Sequence, residues 1–148
     1  MGGLGGDAPQ TYASVAQAEH LPIYKASYDL CLSLEQVVRS FSRYHKYTLG
    51  ADLRDGARRV LKLVVRANAR RDKTPVLLEV REEVEQLKVV LRLCQDLKAF
   101  ANFDAFEQAM TQAVEIAKQN EGWLRSQRQG HGQNRRAMPE RPAAPGAP

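Results

Sequence analysis

From about residue 22 to residue 127, apolar side chains recur at spacings of three and four, the period of helices buried on one side. Breakers and capping residues divide this stretch into four predicted helices. The first runs from Pro22, suited to an opening turn, to Ser42, with Tyr24, Cys31, Leu34, Val38 and Phe41 on one side. The chain then turns near Tyr44-His45-Lys46-Tyr47. Thr48 is the expected N-cap of a second helix ending near Arg70, where Asp52 and Asp55 complement the positive end of the helix dipole. Its apolar face is Leu49, Leu53, Ala57, Val60, Val64 and Ala67. Thr74 and Pro75 open a third helix to about Lys98, in which Leu77, Val80, Val84, Leu87, Leu91 and Cys94 form an unbroken heptad seam. Asn102 or Phe103-Asp104 opens the fourth, whose apolar positions Phe106, Met110, Ala113, Ile116, Ala117, Trp123 and Leu124 persist to about Gln127, with Gly122 a weak point. No strand-like alternation or hairpin signal interrupts this pattern.

Helices of similar length joined by short links must each run antiparallel to the one before. The predicted fold class is therefore all-α, an antiparallel up-down-up-down four-helix bundle over residues 21–128. Glycine, alanine, proline and arginine crowd the ends without an apolar face, which predicts a disordered extension over residues 1–20 and a disordered basic tail over 129–148.

Total charge is +5, but its distribution says more than the sum. Residues 44–73 hold nine basic and three acidic side chains, and residues 123–148 hold five arginines and one glutamate. Such segregation predicts a polyanion or an acidic protein surface as partner. Cys31 and Cys94 stand alone in apolar stretches and read as small buried residues, neither a disulfide nor paired metal ligands. No apolar run approaches the roughly 20 residues that span a bilayer, and the opening residues lack a secretory pattern. Gly2 does not satisfy the myristoylation pattern, because Gly6 stands where Ser or Thr is wanted. These features predict a cytoplasmic protein without a membrane partner.

Catalytic chemistry finds little to work with. His20, His45 and His131 are scattered, and Glu82, Glu83 and Glu85 have no histidine at the spacing that holds metal inside a bundle. No phosphate-binding glycine loop is present. The expectation is a noncatalytic protein with no cofactor and no metal.

The second helix offers a binding surface instead. Arg54, Arg58, Lys62, Arg66 and Arg70 follow at intervals of four, forming a winding basic stripe opposite the apolar face. Arg59 lies beside it, and Arg71 and Lys73 extend it. One reading is a solvated face of good helix formers. The other starts from sign: between Asp55 and Asp72 this helix has no acid, so neighbouring cations repel unless a polyphosphate neutralises them. Arginine at four of the five positions suits bidentate contact with phosphate. At the preceding turn Lys46 and Tyr47, with Tyr44 and His45, place aromatics beside cations. Those rings either stack bases or cover the end of the bundle. Trp123 continues an apolar face and fits a core or subunit interface. The tail arginines Arg128, Arg135, Arg136 and Arg141 resemble a basic arm.

Particular stretches also carry a resemblance: Tyr47-Thr-Leu-Gly50, Ala67-Asn68 followed by Arg71-Asp-Lys73, the run from Leu87 to Lys98, and Gly122-Trp-Leu-Arg-Ser126. From Tyr24 to about Gln127 the chain resembles the accessory variability proteins (Avd) of diversity-generating retroelements, within a wider family of bacterial four-helix-bundle proteins first noticed as insertions in ribosomal RNA genes. The resemblance implies a noncatalytic homopentamer that binds a reverse transcriptase and its template RNA, supporting mutagenic reverse transcription and retrohoming. Two other readings compete: a ribosomal-RNA-associated member without a retroelement, and a structural oligomer whose basic face docks an acidic protein.

Overall fold

The computed structural model describes residues 15–137, with side chains described through residue 130. It is all-helical, with no strand among the described residues. Four long helices carry the fold: α1 (Pro22–Arg39), α3 (Leu49–Ala69), α4 (Thr74–Asp96) and α5 (Phe103–Ala137), with a single-turn helix α2 (Arg43–Lys46) between the first two. α1 and α4 each pack against α3 and α5. None of the described helices is long and apolar enough to cross a membrane.

The heptad seam of α4 is buried at all six predicted positions. On α3 the buried set adds Gly50, Gly56 and Leu63 to the predicted face, while Leu49 is only half-buried. α1 agrees at Leu34 and Val38 and differs by one position before them. Its buried line is Ile23, Ser27, Leu30, Leu34 and Val38, and Tyr24 and Cys31 lie half-buried beside it. Polar Ser27 sits at the centre of that line and disguises it in the sequence.

Helix ends depart from expectation for local reasons. α1 stops at Arg39 because the Ser40 hydroxyl and backbone N–H both donate to the Val37 carbonyl, offering the chain an alternative to another helical turn. Thr48 occupies the cap position of α3, but its hydroxyl donates backwards to the Tyr44 and His45 carbonyls. α4 starts at Thr74, so its cap is Lys73. Asn102 caps α5, its Oδ1 accepting from the Ala105 N–H at 2.8 Å.

α5 runs 35 residues, about 52 Å at 1.5 Å per residue. It passes the expected stop near Gln127, and residues 129–137 of the expected tail are helical. Glycine costs a helix about 1 kcal/mol but leaves its hydrogen-bond ladder intact, so Gly122 and Gly130 do not end it. The expected N-terminal extension is helical over residues 15–18, where Ala18 is fully buried. Its first 14 residues, and residues 138–148 of the tail with Arg141, lie outside the described part.

Two junctions lock the elements together. A side chain at Gly50 would place Cβ 2.6 Å from Val38 Cγ1 and 3.3 Å from the His45 carbonyl oxygen, so glycine is what lets α3 start against the end of α1. Beneath that contact, Phe41 packs edge-on to Phe100 at 5.3 Å, and Phe100 packs against Phe106 at 5.8 Å.

Candidate nucleic-acid interface

The basic stripe lies on the outer side of α3, opposite Leu53, Val60 and Val64, which are fully buried. Arg58, Lys62, Arg66 and Arg70 are exposed, whereas Arg54 is largely covered at 30%. Arg59 is exposed alongside them.

The premise of unrelieved repulsion along the stripe does not hold. Glu35 on α1 stands 3.1 Å from Arg58 and 3.7 Å from Arg54, and Asp55 also pairs with Arg58. On the other flank Arg59 meets Glu83 at 3.1 Å and Arg66 meets Glu79 at 3.7 Å. As α3 numbers rise, α4 numbers fall, so these two helices run antiparallel. The α3–α4 groove sets Arg59, Lys62 and Arg66 against Glu79, Glu82 and Glu83, a balanced seam. Sequence reading missed these acids because they come from neighbouring helices. Glutamates on α1 and α4 at positions bordering the core were the available signal.

Other predicted site residues divide by role. Lys73 is not presented to solvent as a cation: its ammonium donates to the carbonyls of Ala67, Asn68 and Arg70 at 3.2, 3.0 and 2.7 Å, closing the end of α3. Arg70 and Arg71, just past that end, are exposed and make no ion pair among the described residues. Lys46 and Tyr47 lie at the opposite end of α3, so the structure does not gather all ten predicted residues into one patch.

At that opposite end, the turn between α1 and α3 presents its aromatics to solvent. Tyr44 is 82% and Tyr47 69% exposed, so neither ring covers the end of the helices; Phe41 and Phe100 do. Trp123 is half-buried against the core.

On the α4–α5 side, Arg81 donates to both carboxylate oxygens of Glu121, at 2.7 and 2.9 Å. Those hydrogen bonds hold the Glu121 carboxyl below its usual range. Beside this pair Asn120 is buried and donates to the Leu77 carbonyl at 3.0 Å, while its own Oδ1 finds no protein partner. Burial pushes the thiols of Cys31 and Cys94 up to about 11, which leaves them protonated and inert near neutral pH. Among the described residues no group of three or more histidine, cysteine or carboxylate side chains is placed to hold a metal.

Comparison with curated proteins finds no match. A family profile described as bAvd-like matches residues 21–127, from just before α1 to within α5 and thus across the whole packed core. The chain is a member of the bAvd-like family, an Avd-type protein.

Proposed function

We propose that this chain is a noncatalytic accessory protein of a diversity-generating retroelement, binding the element's reverse transcriptase and template RNA in the cytoplasm to support mutagenic reverse transcription and retrohoming. Family membership over residues 21–127 is the observation that carries this reading. It fits a packed helical body that exposes cations along α3 and two tyrosines at the turn before it. Arg70, Arg71 and Lys46, none of them ion-paired among the described residues, are the members of the predicted surface best placed to meet phosphate. Arg54, Arg58, Arg59 and Arg66 contribute at the cost of exchanging an internal carboxylate for a phosphate.

The same reading takes the four long helices as an up-down-up-down bundle and the working unit as a homopentamer. Two apolar faces support assembly. Tyr28 and Leu32 are exposed on α1, and Val89 and Leu93 on α4 with Leu97 at its C-cap. α1 and α4 both pack against α3 and α5, which sets these faces on opposite sides of the bundle. Unlike faces on opposite sides join head to tail, and such contacts form a ring where the rotation from one subunit to the next closes.

Co-expression with the reverse transcriptase of the proposed retroelement, followed by purification and titration with template RNA over a range of salt, tests the proposal. A stable enzyme complex and RNA affinity that falls steeply with salt are expected. Absence of both at low salt would return the basic surface to the role of docking an acidic protein.

A further inference from the structure

The segment from Arg39 to Ala51 contains Arg39, Arg43, His45 and Lys46 and no aspartate or glutamate. Arg39, Arg43 and Lys46 make no ion pair among the described residues, in contrast to the arginines in the middle of α3. The same short stretch holds the two most exposed large aromatic side chains described, Tyr44 at 82% and Tyr47 at 69%. Rings left in water on a packed body forgo the burial that would otherwise stabilise the fold, and they gain when a planar partner covers them.

Their scaffold is fixed. The Lys46 and His45 N–H groups donate to the Ser42 carbonyl at 2.8 and 3.0 Å. Thr48 donates its hydroxyl to the Tyr44 carbonyl at 3.1 Å, and Gly50 brings α3 tight against Val38 and the His45 carbonyl. Phe41, buried on Phe100, anchors the turn from below. The Tyr44 and His45 rings meet edge to face at 5.1 Å, which sets the orientation of one ring against the other. A backbone already ordered before binding spares that part of the entropy cost when a ligand arrives.

We infer that this turn is a docking point for single-stranded RNA, whose bases stack on Tyr44 and Tyr47 while Arg39, Arg43 and Lys46 meet the flanking phosphates. The inference rests on the proposed role in RNA binding and locates its base-contacting element away from the α3 stripe. Clustered cations that make no ion pair among the described residues select a polyanion. Exposed ring faces select unpaired bases, because in an A-form duplex the base faces are already stacked on one another.

The test is anisotropy titration of the full chain with a labelled unstructured oligonucleotide RNA and with an RNA hairpin stem of equal length. The double variant Tyr44→Ser/Tyr47→Ser should lose about tenfold or more in affinity for the unstructured RNA, with the stem much less affected. Tyr44→Phe/Tyr47→Phe should restore binding, since it keeps the rings. Arg43→Gln/Lys46→Gln should weaken binding and flatten its salt dependence by about 0.7 log unit per lost phosphate contact. Both tyrosines are exposed, so circular dichroism should report an unchanged fold in every variant. Native affinity in the serine variant, or equal losses for stem and unstructured RNA, would overturn the inference while leaving the accessory role standing. Loss of reverse transcriptase binding with RNA binding intact would overturn it in favour of a protein contact. A native chain that binds no RNA at any salt would overturn both.

Discussion

Lys98 has a backbone φ of 59°, in the left-handed region, directly after α4. The Ala99 N–H donates to the Cys94 carbonyl and the Lys98 N–H to the Gln95 carbonyl, a Schellman closure with lysine where glycine is usual. Lys98→Gly should therefore stabilise the protein by about 0.5–1 kcal/mol, read from the midpoint of denaturant unfolding. Two glycines in α3 should respond in opposite ways. At Gly50 a new Cβ meets Val38 Cγ1 at 2.6 Å, on a β-branched side chain with little room to turn, so Gly50→Ala should cost about 1–3 kcal/mol. At Gly56 the nearest atom is the end of Leu87 at 3.2 Å, which can swing aside, and the gain in helix propensity should bring Gly56→Ala within about 1 kcal/mol of neutral. Chemical denaturation of the two variants side by side checks the pair. Native Cys31 and Cys94 should resist alkylation near neutral pH and react on unfolding, because burial raises both thiols to about 11.

Among elements, the α1–α3 seam should be sensitive to the sign of charge. Arg58→Glu sets a carboxylate against Glu35 and Asp55, and the loss should be partly recovered by Glu35→Arg in a double-mutant cycle of thermal unfolding. Between α4 and α5, Arg81 lowers the Glu121 carboxyl by hydrogen bonding, so this pair stabilises the fold above the ordinary carboxylate range and ceases to do so as pH falls through the lowered value. Both side chains are partly exposed, which keeps the effect small, and Glu121→Gln should remove it from the pH profile of unfolding.

The elements themselves were largely legible in the sequence. The Leu77-to-Cys94 seam is apolar at every step, so period alone located it. In α1 the period locates Leu34 and Val38 but falls one position off at Tyr24 and Cys31, because polar Ser27 occupies the core line, and α5 outruns its apolar pattern, which ends at Leu124 before a stretch rich in Gln, Gly and Arg. Short caps such as Lys73 over the end of α3 depend on a side chain folding back on carbonyls and leave no periodic trace.

At the scale of the whole molecule, the site was less legible than the fold. The stripe on α3 was visible from spacing, but its charge balance depends on Glu35, Glu79 and Glu83, which only tertiary packing brings near. The turn at Tyr44 and Tyr47 could be read either way until the exposure of its rings decided against a covering role. Assembly also belongs to this scale. If α1 and α4 supply the subunit contacts, Leu32→Glu and Leu93→Glu should each break the oligomer without changing helical content, as sedimentation would record. Most direct for the accessory role is sedimentation of the purified protein together with the reverse transcriptase and template RNA of the proposed retroelement. The account predicts one boundary containing all three components that dissolves into separate species as salt is raised. A protein that sediments apart from both enzyme and RNA even at low salt would contradict it.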